Sequence, residues 1–261
     1  MKYIKRQRLL EGRREKMELE DAVKFFKEHC TQYNPKLTTI YRGIKGADYL
    51  HDYYNVIKPS EYIRSAGHSN TTYLNIIDNS ESWKNYPKRR KSIICSTSRD
   101  VAHFYGEVHV VIPVNNSNFG VCPDYDFQKC FDNFNIKFGI PIYRVDEMFD
   151  SNKEGYSYED FKRMMISNEY NPVEFSFDYR QYVSENNLTG EDIYNEMIEN
   201  ISPTNNGFKT FRYNGSRDIS TLNDIRLLDS NEVWTSDDCL LITETRYKGF
   251  LEAVGFIEEE D

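Results

Sequence analysis

The sequence has few of the features from which an activity is usually read. Its five cysteines (Cys30, Cys95, Cys122, Cys130 and Cys239) are odd in number, widely spaced and without a C-x-x-C pair. That excludes a disulfide framework and a zinc motif, and it suits a reducing compartment. The five histidines form no H-x-x-x-H or H-E-x-x-H pair, so no metal site is expected. His103 and His109 fall inside predicted elements and read as packing residues rather than ligands. There is no G-x-S-x-G, no Walker loop and no G-x-G-x-x-G, which removes the common serine hydrolases, P-loop enzymes and dinucleotide-binding domains. No apolar run approaches the roughly 18–20 residues of a membrane span, and the basic start lacks the apolar stretch of a signal peptide. The expectation is a soluble, cytoplasmic protein without internal repeats.

What is present is a chain of 261 residues and 30.9 kDa, long enough for one large domain or two small ones. Hydrophobic residues make up 39%, and the 20 Tyr, 16 Phe and 2 Trp supply large buried area. The net charge of −9 argues against a protein that coats nucleic acid or an anionic membrane. Residues 1–16 carry seven basic side chains against Glu11 and Glu15, a local +5 that leaves −14 on the remainder. A basic N-terminal helical arm (1–36) and an acidic tail (251–261) are expected to flank the main domain (37–250).

Apolar residues at three- and four-residue steps predict a helix over Leu19–Cys30, ended by Asn34-Pro35. Leu37–Tyr41 reads as a strand closed by Arg42-Gly43, and Ser92–Ser96 as a short strand buried on both faces. Asp100–Tyr105 reads as a helix, and Val108–Val114 as a buried strand whose Pro113 suggests an edge or bulge. Between them, Ser60–Ile63 suggests a helical turn and Gly67–Thr72 a loop. From about 142 to 228 the texture becomes polar and helical. Ser157 with Asp160 and Thr189 with Asp192 have capping-box spacing, predicting helices Tyr158–Met165 and Gly190–Ile198. Strands follow at Phe208–Tyr213, Glu232–Trp234 and Leu240–Thr243, then a last strand or helix.

Three polar features stand out. Arg42, in Ile40-Tyr41-Arg42-Gly43, offers a permanently charged fork suited to phosphate, and the following glycine would let a ligand approach the backbone. Ser96-Thr97-Ser98 places three hydroxyls at a strand end, able to orient a sugar hydroxyl and a carboxylate. Glu232 opens a short apolar strand. Singly, each is more simply read as structural: a strand-capping arginine, a polar turn, an exposed glutamate.

In order, they change the weighing. The chain resembles the ADP-ribosyltransferase family of the Arg–Ser–Glu type, through IYRG with Arg42, SIICSTSRDVAHFYG, VHVVIPV and NEVW with Glu232. The 54 residues from Arg42 to Ser96 suit that family, whereas the 136 from Ser96 to Glu232 exceed its usual gap. The excess corresponds to the helical stretch at about 142–228. The block NYPKRRKSIICSTSRDVAHFYG with VCPDYDF is also similar to proteins of large tailed phages.

The resemblance implies an α+β fold of two small packed β-sheets around an NAD cleft, with an N-terminal helix and a helical insertion. It implies a transferase that cleaves NAD at the nicotinamide–ribose bond and passes ADP-ribose to a macromolecular acceptor, for a toxin-like phage protein a host target. Catalysis would fall to Glu232, Ser96 and Arg42. NAD, the one cofactor implied and a substrate, would contact Tyr41, Arg42, Gly43, Ser96, Thr97, Ser98, Phe104 and Tyr105. Lys88, Arg89, Arg90 and Lys91 would add positive charge nearby. Two residues before Glu232 the family carries Glu or Gln. Here that position is Ser230, which puts an arginine acceptor in doubt and leaves another acceptor, NAD hydrolysis, or Asp229 as a substitute. Glu244 is a second candidate for the catalytic carboxylate. The alternative is a non-enzymatic phage structural or host-binding protein that retains the fold. An RNA 2′-phosphotransferase would be expected to bring histidines where Arg42 stands.

Overall fold

The computed structural model describes residues 13–45, 54–59, 72–149, 156–216, 218–219 and 230–257. The strands are β1 Arg13–Met17, β2 Ile40–Ile44, β3 Tyr54–Lys58, β4 Ile93–Ser96, β5 Glu107–Pro113, β6 Asn118–Val121, β7 Lys209–Arg212, β8 Glu232–Thr235 and β9 Cys239–Thr243. The helices are α1 Leu19–His29, α2 Thr72–Asn79, α3 Arg99–Phe104, α4 Asp132–Phe138, α5 Tyr158–Ile166, α6 Phe177–Asn186, α7 Gly190–Asn200 and α8 Glu244–Ala253. Short 3₁₀ turns connect several of them.

The chain divides into two compact units. The first takes Met1–Arg64, Tyr86–Tyr125 and Lys209–Asp261 and holds all nine described strands. They form one open antiparallel sheet in the order β1-β3-β9-β5-β2-β4-β8-β6-β7. Two separate packed sheets are therefore not what forms. The two strand groups meet where β2 joins β4, and that seam carries a single register pair, Tyr41 opposite Ser96. One core cluster draws on both groups, from Ile40, Val111 and Leu241 on one side to Ile93, Phe119, Val121 and Val233 on the other. α1 and α8 add Phe26 and Phe250, whose rings meet edge to face.

The second unit takes Ser65–Asn85 and Asp126–Phe208 and is helical in its described residues. Its core is aromatic. Trp83 lies against Phe127, Phe131 and Phe208, while Phe138 packs against Phe134, Phe175 and Tyr179. Both expected caps form: the Ser157 hydroxyl accepts from the Asp160 amide, and Thr189 and Asp192 close a full capping box.

Several expectations change. Within the expected helical arm, Arg13–Met17 is a strand, zipped along β3 from Arg13 opposite Lys58 to Met17 opposite Tyr54. A partner's ladder can impose extended structure on a charged segment that has no strand pattern of its own. β2 starts later than expected and runs through Arg42-Gly43, because β5 pairs with it as far as Ile44. Pro113 marks neither an edge nor a bulge: β5 lies between β2 and β9, and Pro113 is its last paired residue, where a missing N–H matters least. The C-terminal element is a helix. Ser60–Ile63 and most of Gly67–Thr72 lie outside the described residues, Thr72 itself opening α2.

Candidate functional site

The site is built on three neighbouring strands of the first unit. In the β4–β8 register Ser96 stands opposite Glu232, and in the single β2–β4 pair Tyr41 stands opposite Ser96. Opposed residues share a face, with Cβ atoms about 4.5–5.5 Å apart. Tyr41, Ser96 and Glu232 thus form one row across the sheet.

The backbone beneath this row is held on both sides. The Glu232 amide donates to the Asp124 carbonyl at 2.9 Å, and its carbonyl accepts from the Cys122 amide at 2.8 Å. The Thr97 amide donates to the Asn231 carbonyl at 3.0 Å, and the Asn231 amide returns a bond to the Thr97 hydroxyl at 2.8 Å. The buried Asn231 side chain donates to the Cys122 carbonyl at 2.9 Å. The Ser98 hydroxyl accepts from the Val101 amide and caps α3. The hydroxyls of Thr97 and Ser98 are therefore engaged in shaping the chain. The Ser96 Oγ likewise accepts a backbone amide, that of Ser98 at 3.0 Å, and what distinguishes it is the face it shares with Glu232.

Glu232 forms an ion pair with Arg89, whose Nη2 donates to Oε1 at 2.6 Å, with both side chains largely buried (16% and 12% exposed). The 86–92 segment delivers it. The Trp234 indole N–H donates to the Pro87 carbonyl at 2.8 Å, Tyr86 stacks on the Trp234 ring, and the Ser92 hydroxyl donates to the Lys88 carbonyl at 2.7 Å. Trp234 lies two residues from Glu232, on the same face. Its ring lies over Gly120, its register partner, where an added Cβ would come within 2.2 Å of it. A basic run before a strand was legible in the sequence. That Arg89 is the member meeting Glu232 depends on this packing.

Arg42 is brought to the adjacent strand but not to the row. It pairs with His109 on β5 and, one residue from Tyr41, points to the opposite face. Its Nη1 donates to the Ile94 carbonyl, where the β2–β4 ladder is reduced to one pair. Burial lowers its pKa, opposed by the neighbouring Cys95 and Cys239. In this arrangement the guanidinium bridges the seam of the sheet.

Gly43 admits a helix rather than a ligand: a Cβ there would lie 1.8 Å from the Ala102 carbonyl of α3. Phe104 and Tyr105, at the end of that helix, are exposed (79% and 63%). Glu244 opens α8 and is gripped by Arg99 through two bonds of 2.6 and 2.7 Å, which lowers its pKa. Both candidate carboxylates are thus held by an arginine, and Glu244 differs in standing at the start of α8 rather than opposite Ser96. Ser230 is half-buried, and Asp229 lies outside the described residues. Lys88 and Lys91 line an open depression of about 820 Å³ with Lys58, Asp237 and Asp238, at the far ends of β4 and β8 from Ser96 and Glu232. The expected pooling of positive charge is therefore split between two places.

Among the described residues no group of three or more His, Cys, Asp or Glu could hold a metal, and no helix is long and apolar enough to cross a membrane. No protein-family model, curated protein or solved structure matches the chain. A functional reading rests on the geometry and the motifs.

Proposed function

We propose that the protein is an NAD-dependent mono-ADP-ribosyltransferase, or an NAD glycohydrolase, working through Ser96 and Glu232. The observation that carries this reading is the pairing of those two residues across adjacent strands, with the Arg42 strand next to them. As nicotinamide leaves, positive charge develops on the ribose, and a fixed carboxylate in a water-poor site stabilises it. Glu232 would supply that carboxylate and hold the ribose 2′-hydroxyl. Ser96, donating from the same face, would orient both. With Ser230 where the family has Glu or Gln, the acceptor would be a macromolecular group other than arginine, or water, unless Asp229 substitutes for the missing carboxylate.

One observation favours the non-enzymatic alternative, a phage protein that keeps the scaffold: Arg42 is spent on the Ile94 carbonyl. The two readings separate on incubation with NAD labelled in the ADP-ribose part, with and without host lysate, beside Glu232→Gln. The expected result is nicotinamide release or transferred label, reduced about 100- to 1,000-fold in the variant, the size of one lost transition-state electrostatic contact. A wild-type protein that neither binds nor cleaves NAD overturns the enzyme reading.

A further inference from the structure

We infer that Arg89, rather than Arg42, is the cation that meets the diphosphate of NAD, and that it leaves Glu232 to do so. This rests on the reading of Ser96 and Glu232 as an NAD site. Three observations converge on it. Arg89 is the guanidinium found at the carboxylate, at 2.6 Å, whereas Arg42 points through the sheet to the other face and donates to Ile94. The Arg89 side chain retains some exposure, 16%, and its guanidinium sits at the Glu232 carboxylate that edges the row. Its backbone is anchored on both sides, by Trp234 at the Pro87 carbonyl and by Ser92 at the Lys88 carbonyl. The side chain can therefore exchange partners without moving the turn.

The exchange has a chemical consequence. A guanidinium bound to Glu232 neutralises the negative charge that a cationic sugar needs. A diphosphate offers the same fork a bidentate site of higher charge. Transfer of Arg89 to the diphosphate restores the carboxylate's charge when the substrate is in place. Binding of the anionic part of NAD thus primes the residue that acts at its other end, and a ligand lacking phosphate leaves the ion pair closed.

The test is calorimetric titration of wild type, Arg89→Ala and Arg89→Lys with ADP-ribose and with nicotinamide riboside, alongside nicotinamide release from NAD. Loss of one charge-assisted contact is expected to weaken ADP-ribose binding by roughly 10- to 100-fold in Arg89→Ala. Arg89→Lys should recover part of the loss, and riboside affinity should not fall in Arg89→Ala, where Glu232 stands open to the cationic riboside. Should Arg89→Ala fail to fold, Arg89→Gln keeps the stem and takes its place. If wild type binds and cleaves NAD but the variants hold ADP-ribose as tightly, the inference falls alone. Equal losses for ADP-ribose and riboside also overturn it, making Arg89 a positioning residue for Glu232. A wild type that does not bind NAD overturns the underlying reading as well.

Discussion

Each unit of the protein buries one of the chain's two tryptophans, and the two are used differently. Trp83 and Trp234 both sit below 5% exposure, and both donate their indole N–H to a backbone carbonyl, Ile201 at 2.9 Å and Pro87 at 2.8 Å. Burying a large ring that carries one polar atom requires such a partner. Trp83 then fills the aromatic core of the second unit, among Phe127, Phe131 and Phe208. Trp234 lies over a sheet face, between Tyr86 and a glycine that makes room for it, and holds the turn carrying Arg89. The helical unit spends its aromatic residues on cohesion, while the sheet unit spends one of its largest on placing a charge.

Substitutions can break this contrast, beginning with the largest effect. Trp83→Ala removes the centre of a ring cluster and its hydrogen bond, and should cost about 3–5 kcal/mol. Urea unfolding followed by helical circular dichroism would show it, while Trp234 fluorescence reports on the first unit separately. A loss below about 1 kcal/mol would mean that the Phe127–Phe131–Phe208 group does not depend on Trp83. Next, Gly43→Ala forces a methyl into the Ala102 carbonyl. An expected loss of about 1–3 kcal/mol should appear in Trp234 fluorescence and leave the Trp83 unit unmoved. Trp234→Phe keeps a ring on the sheet but strands the Pro87 carbonyl, at about 1–3 kcal/mol. Its sharper signature is functional: nicotinamide release should fall by more than the stability loss accounts for. Unchanged turnover would show that Arg89 does not need this anchor.

The smallest effect is one of pH. Burial pushes the Cys30 thiol from about 9 up to about 12. A raised folded-state value means that the unfolded chain gives up its proton first. The stability contributed by the neutral thiol is therefore complete below pH 9 and declines as pH rises from 9 towards 12. Cys30→Ala should flatten that alkaline decline of the melting temperature. The same slope in the variant would assign it to other groups, among them Tyr213, also raised to about 12 by burial.

Local pattern carried much of the architecture. The spacing of Ala22, Val23 and Phe26 marks α1, the apolar IICS marks β4, and the hydroxyls of Ser157 and Thr189 mark two helix starts that form as expected. These depend on neighbours within a turn or a pleat. β1 and β3 were missed for different reasons. RREKM carries little strand signal and is drawn out along β3, whereas the Tyr, Val and Ile of YNVIK favour a strand that the mixed pattern around them obscured. For the candidate site, the family resemblance, not the residues singly, pointed to Ser96 and Glu232, and register sets them opposite each other.

The sequence by itself determined which chemical groups are available: an always-charged arginine on a strand, a run of hydroxyls at a strand end, a late glutamate, and the lack of cysteine or histidine clusters. Only the tertiary structure decided which of them face each other. Strand alternation turns Arg42 away from the row by a single residue step, a parity that cannot be known until its partner strands are. The packing of Trp234 on Gly120 brings forward Arg89, 143 residues from Glu232 in the chain. Side-chain identity is local, but register and close packing are set by distant segments.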